Sequence, residues 1–208
     1  MHYTENMNWD TLADDAVIAK TIEGLKSRGV TAMVVDTGAQ AKEKVLELIP
    51  QGAEVMNASS VSLETVGLVQ EINESGKYNS VKNKLNSLDR NTQRAEMLKL
   101  GAAPEWIIGS VHAVTQDGVV VVASNTGSQL PGYTYGSQHV VWVVGAQKIV
   151  ANLDDAMKRL NDYIVPLEEV HMQQLYGMST NVSKLFILNK EVVPDRVTLI
   201  FVKEKLGF

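Results

Sequence analysis

Asn57-Ala58-Ser59-Ser60-Val61-Ser62-Leu63-Glu64 joins the end of an apolar strand pattern to the start of a helical one. The first N–H groups of a helix lack partners within it. Together with the helix dipole they make such a turn able to hold a phosphate or carboxylate, with Ser59, Ser60 and Ser62 adding hydroxyls. The same residues serve a plainer purpose, with Ser62 capping the helix, and turn chemistry by itself favours capping. Glu64 falls in the first helical turn, where the dipole favours an acid whether or not it acts in chemistry.

A second polar cluster follows another apolar strand at Gly109-Ser110-Val111-His112-Ala113-Val114-Thr115. His112 is a candidate general acid or base, because an imidazole with an ordinary pKa of about 6.5 exchanges protons near neutrality. The alternative is a hydrogen-bonded structural histidine. His2, His139 and His171 are scattered, so no histidine metal site is expected. Ser124-Asn125-Thr126-Gly127-Ser128 offers Asn125, Thr126 and the Gly127 backbone to a polar ligand, although turns use these residues for backbone reasons alone. Gly145-Ala146-Gln147-Lys148 also leaves a strand, which lets Lys148 face an anion beyond the strand end; a lone lysine is more often solvated.

Several chemistries are excluded or disfavoured. The chain has no cysteine, so disulfides, thiolate metal sites, cysteine-ligated iron–sulfur clusters and a cysteine nucleophile are ruled out. There is no GxGxxG after a strand, no GxxxxGK[ST] loop, no GxSxG elbow and no HExxH helix. A net charge of −5 argues against a general affinity for nucleic acid, which needs a basic footprint. The N-terminal MHYTENMNWDTLADD lacks a cationic start and apolar core, so export by a signal peptide is not expected. The apolar runs fall far short of the roughly 20 residues that span a bilayer, and a cytoplasmic location is expected.

The elements that must position these residues alternate. Leu12, Ala16, Ala19, Ile22 and Leu25 keep a helical spacing up to Gly29, Thr31–Val35 is a buried strand, and Ala41, Val45, Leu48 and Ile49 mark a second helix. Ala53–Met56 reads as a strand and Ser62–Asn73 as a helix. Lys77–Asn91 reads as a polar connection, and Thr92–Leu100 as a helix stopped by Gly101. Trp106–Ile108 is a strand. Asp117-Gly118 suits a tight hairpin turn between Ala113–Thr115 and Val119–Ala123.

A glycine-bearing loop from Gly127 to Gly136 leads to the strand His139–Val144. Leu153, Met157, Leu160 and Ile164 form one stripe of a helix, capped by Asn152, with Asp154–Lys158 and Asp155–Arg159 as surface pairs. Beyond Pro166 an irregular segment precedes a final strand, Val197–Val202. Alternation of this kind implies a single α/β domain over residues 1–208. Its architecture is a three-layer sandwich with a mainly parallel sheet and a β-hairpin insertion, and its ligands sit beyond the carboxyl ends of the strands. At this length roughly 70% of the unfolded surface is buried.

The chain is similar to the LUD domain family, LutC-like proteins of lactate utilisation, within the NagB/RpiA/CoA-transferase-like fold group. The resemblance runs in order through Leu48–Ala53, Ser60–Leu68, Gly109–Gly118, Tyr135-Gly136, Val144–Val150 and Val202–Gly207. It implies a Rossmann-like sheet and a link to the use of lactate or related hydroxy acids, and it brings no set of catalytic residues. The sequence departs from the family in two places. Gln147 stands where an asparagine is common before lysine, and Tyr176–Lys190 lacks the cysteines that many relatives carry there, so no metal or cluster role transfers.

Two functions compete. In the first, the chain is an accessory or binding component of organic-acid utilisation. It holds a small anionic metabolite through Ser59, Ser60, Ser62 and Lys148, with iron–sulfur oxidoreductase subunits as partners and self-association left open. In the second it is an enzyme of the sugar-phosphate isomerase or CoA-transferase type, using Glu64 or His112. No cofactor is assigned.

Overall fold

A computed structural model describes residues 8–208. In chain order its strands are Thr31–Val35 (β1), Glu54–Asn57 (β2), Asn79–Ser80 (β3), Trp106–Gly109 (β4), Ala113–Thr115 (β5), Val120–Ser124 (β6), His139–Gly145 (β7), Ile149–Val150 (β8), Lys184–Leu188 (β9) and Val197–Val202 (β10). Its α-helices are Asp15–Ser27 (α1), Gly38–Leu48 (α2), Val61–Thr65 (α3), Leu68–Glu74 (α4), Val81–Ser87 (α5), Arg94–Ala102 (α6), Leu153–Arg159 (α7) and Val165–Tyr176 (α8).

The main sheet has six strands in the order β1-β10-β7-β4-β2-β3, every pair parallel. Its central strands are continuous apolar runs because both faces are covered. Val140, Trp142, Val144, Leu199 and Phe201 face one core with Ile18 and Leu25 of α1. Val141, Val143, Ile200 and Val202 face another with Ala41 and Val45 of α2, Leu63 of α3, and Leu68 and Ile72 of α4. This is the α/β three-layer Rossmann-like arrangement. No helix among the described residues is long and apolar enough to cross a membrane.

A second sheet, β8-β5-β6-β9, contains the expected hairpin. Its residues alternate: Val114, Val120 and Val122 join the first core, while Ala113 and Val121 pack on Val150 and Ala156, and Ala123 on Leu160 and Ile164. The turn differs from the tight form that Asp117-Gly118 suggests. Gly118 N–H donates to Thr115 O at 2.8 Å, and only Gly118 has a positive φ, so Gln116 and Asp117 are the central turn residues.

Other differences have local causes. The segment read as one helix from Ser62 to Asn73 is two helices, because Gly67 takes φ +72° between them. Lys77–Asn91 contains β3 and α5, anchored by fully buried Val81, since one well-placed apolar residue suffices in a polar stretch. Gly101 lies within α6, which ends at Ala102. The stretch after Pro166 is ordered as α8 and β9. A wide π-helical turn, Leu160–Ile164, links α7 to α8 without a break, and Pro166 is the second residue of α8. The surface pairs of α7 are also rearranged: Lys158 lies 3.6 Å from Asp155, and Arg159 points inward.

Candidate functional site

Four adjacent strands of the main sheet, β10, β7, β4 and β2, send their C-terminal continuations to one place. β2 leads to Ser60 and Ser62, β4 to Ser110 and His112, β7 to Lys148, and β10 to Leu206 and Gly207. Parallel pairing puts all four ends on the same edge, where α/β sheets hold ligands.

Lys148 is only 4% exposed. Its Nζ lies 3.2 Å from Ser62 Oγ, 3.3 Å from Ser110 Oγ and 3.2 Å from Val111 O. Ser62 Oγ donates to Leu206 O at 3.0 Å, so it accepts from the lysine. All three partners of the amine are neutral. Burial, with a smaller contribution from the nearby Arg159 charge, pushes the Lys148 pKa down to about 7.

Arg159, the last residue of α7, is fully buried. Its Nη1 donates to His112 O at 2.6 Å, and the guanidinium carbon stands 5.3 Å from the centre of the Tyr163 ring. Nε and Nη2 are buried and have no hydrogen-bond partner among the described residues. These two N–H groups form one edge of the guanidinium plane, the fork that grips a carboxylate or phosphate through two parallel bonds. Asp10 is close enough for its charge to be felt, but its carboxylate is taken by Tyr163 Oη and Lys205 Nζ. Burial lowers the Arg159 pKa to about 10, which leaves it charged at neutral pH.

The other buried arginine shows what full satisfaction looks like. Arg196 pairs with the Glu191 carboxylate at 2.7 Å and donates to Ser137 O, Gly132 O and Tyr133 O, using all three nitrogens. Arg159 uses one.

His112 as a residue keeps some exposed surface, but its titrating ring is enclosed by the protein. Its Nδ1 accepts from Ala123 N–H at 3.1 Å, which places the proton of the neutral ring on Nε2. Burial drives its pKa down to about 3, helped by the Lys148 and Arg159 charges. A ring so held offers an N–H donor; its acceptor nitrogen is already engaged.

The remaining sequence candidates divide. Ser60, not Ser62, caps α3, accepting from Leu63 N–H at 3.4 Å, and Ser59 is exposed. α3 is five residues long, so the site depends on the Ser62 hydroxyl more than on a helix dipole. Glu64 is exposed beside Glu168, whose carboxyl burial pushes up, with His171 opposing and the Glu64 charge adding to the rise.

Asn125, Thr126 and Gly127 form a self-bonded turn tied to β9. Gly127 N–H donates to Ser124 Oγ at 2.8 Å and Asn125 O accepts from Lys184 Nζ at 3.3 Å, and none of the turn's hydrogen bonds reaches Lys148, Arg159 or His112. Gly145 makes room for the C-terminal segment: a Cβ there would stand 2.7 Å from Leu206 N. The Gln147 amide clamps the same segment through Leu206 O at 3.0 Å.

Two residues of the site, Arg159 and Ser110, carry no strong signal in the sequence. Asn57, at the end of β2, is buried with Oδ1 unpartnered among the described residues. The one signal for Arg159 was its position three residues after Ala156, on the face that buries Leu160. Among the described residues no group of three or more His, Asp or Glu side chains is placed to hold a metal ion.

These features define an α/β protein whose parallel strands end at a buried, cationic, hydroxyl-lined site. The LUD domain model matches residues 18–202, and the chain belongs to that family. Among solved structures, a DUF162 family protein from Deinococcus radiodurans is similar in fold. Its TM-score is 0.56 at 10% identity, covering 92% of this chain and 99% of that one. No curated protein matches the sequence.

Proposed function

We propose that the chain binds a small carboxylate metabolite as an accessory component of lactate or related organic-acid utilisation. One observation carries this reading: the Nε and Nη2 edge of Arg159 is buried and unpartnered, next to a second buried cation, Lys148. Leaving a buried charge without a counter-ion is costly, and a bidentate carboxylate removes that cost. The Ser110 hydroxyl and the Nε2–H of His112, both on the segment that follows β4, would serve the hydroxyl or carbonyl oxygen next to the carboxylate. In this reading iron–sulfur oxidoreductase subunits are the partners, and any oxidation of a hydroxy acid takes place on them, since a chain without cysteine cannot itself ligate such a cluster through thiolates.

The test is thermal unfolding with L-lactate, pyruvate, phosphate and a sugar phosphate, followed by calorimetry on any that stabilise. A ligand that binds only the folded state raises the midpoint. Lactate and pyruvate are expected to raise it, and Arg159→Leu to remove the effect. A wild-type midpoint unmoved by every carboxylate would sink the reading. Stabilisation by sugar phosphates alone would favour the isomerase-type enzyme.

A further inference from the structure

Lys148 and Arg159 are buried too deeply to meet a solute in this conformation, so part of the chain must move before either can. β7, which carries Lys148, is paired on both sides in the main sheet, and a paired central strand is among the last elements to open. The stretches at the two ends of the described chain are held differently. Neither residues 8–14 nor residues 203–208 belong to a helix or strand.

The C-terminal stretch lies against Lys148. Leu206 O accepts from Ser62 Oγ and from the Gln147 amide, each at 3.0 Å, and a Cβ on Gly207 would stand 3.6 Å from Lys148 Nζ. The N-terminal stretch lies on the side of Arg159. Trp9 packs on the cluster that includes Ala156, one turn before Arg159 on α7, and Asp10 accepts from the hydroxyl of Tyr163, whose ring faces the guanidinium. The same Asp10 carboxylate accepts from Lys205 Nζ and so ties the two stretches together across 195 residues of sequence. Closer to the body of the protein, Lys203 pairs with Asp15 of α1 at 2.7 Å, which fixes the bases of both stretches and leaves Asp10 and Lys205 as the tie farther out. That outer tie is partly exposed on both sides, and a pair so placed can break without disturbing the core.

We propose that the Asp10–Tyr163–Lys205 knot is a latch: it holds the N-terminal and C-terminal stretches over Arg159 and Lys148, and its release opens the two cations to small anions. The fixed points are Asp15 and Lys203, and the moving parts are the residues beyond them. Any solute bound for these cations needs such an opening, so the latch does not depend on which anion the site takes.

The experiment is acetylation of the full chain with a small amine-reactive anhydride, followed lysine by lysine through peptide mapping. In the wild type Lys148 should react at least about tenfold more slowly than Lys44, an exposed lysine of α2, because it is reached only through a local opening. Asp10→Ala and Lys205→Met should each speed its labelling about three- to tenfold, the effect of one partly exposed ion pair with a charge-assisted hydrogen bond. Lys205→Arg keeps the pair and should keep the wild-type rate. Glu47→Gln breaks an exposed pair on α2 and should leave Lys148 unaffected. Hydrogen exchange on the same proteins should quicken at residues 204–207 and stay slow in β7.

Unchanged labelling of Lys148 in both latch variants would overturn the proposal; should one variant not fold, the other decides. Equal acceleration of exchange in β7 would also overturn it, because the variants would then loosen the whole protein. So would wild-type labelling of Lys148 as fast as that of Lys44. No ligand enters the test, so the latch and the carboxylate reading stand or fall separately.

Discussion

Lys148 and Arg159 donate to the carbonyls of consecutive residues, Val111 and His112, and so two buried cations converge on the short bend between β4 and β5. Each arrives from a different element, Lys148 from the end of β7 and Arg159 from the end of α7. No carboxylate among the described residues hydrogen-bonds to either. That imbalance gives the site its chemistry and sets its measurable behaviour.

Arg159→Leu is expected to weaken carboxylate binding about tenfold to a hundredfold, the value of one or two charge-assisted hydrogen bonds. It should leave the unliganded melting temperature level or higher, because an uncompensated buried charge is removed. Calorimetry and a melt of the same preparation check both parts. A large loss of stability with affinity intact would mark Arg159 as purely structural.

Lys148 gives stability a pH dependence on the alkaline side. Its proton binds near pH 10.5 in the unfolded chain and at about 7 in the folded one. Between these values the unfolded state holds more protons, so stability rises with pH across the window and the full cost of the buried charge is present below pH 7. The difference in melting temperature between wild type and Lys148→Met, followed from pH 7 to 10, should shrink or reverse accordingly. Carboxylate affinity should run the opposite way and fall as the amine loses its proton.

His112 acts on the acid side. Its folded pKa of about 3 lies below the ordinary 6.5, so the unfolded chain takes up a proton that the folded ring refuses. Stability from this group is complete above pH 6.5 and is lost as pH falls towards 3. His112→Asn should flatten the acid limb of a stability-against-pH curve; an unchanged limb would show that the ring does not titrate as its burial demands.

The Arg196–Glu191 pair should respond in the opposite sense to Arg159. Glu191 Oε2 accepts from Arg196 Nη1, and its other oxygen accepts from the N–H groups of Val192 and Val193 at 2.8 Å. Glu191→Ala strands a buried guanidinium and should cost about 3–5 kcal/mol by chemical denaturation.

Gly109 ends β4 against the buried ring of Tyr133, and a Cβ at that position would collide with Tyr133 Oη. Gly109→Ala should cost about 1–3 kcal/mol through overpacking. Adding Tyr133→Phe should recover part of it, the non-additivity expected of residues in contact.

The sequence by itself determined the layers. Runs such as His139–Val144 and Val197–Val202 are apolar on both faces, which forces central parallel strands, and the alternation with helical spacing forces covering layers on each side. It also marked the Ser62, His112 and Lys148 segments, because each follows an apolar strand and so emerges on the carboxyl edge of the sheet. Tertiary structure alone decided which polar residues were buried. Asp155 and Arg159 carry the spacing of a surface pair, and only the packing of α7 on β5 turns Arg159 inward, while Asp155 keeps Lys158. Lys148 looks like any solvated lysine until Ser62, 86 residues away, and Ser110 meet its amine. Periodicity records whether a side chain is apolar, which dictates burial. For a charged side chain, burial depends on partners brought from distant parts of the chain, and local spacing carries no record of them.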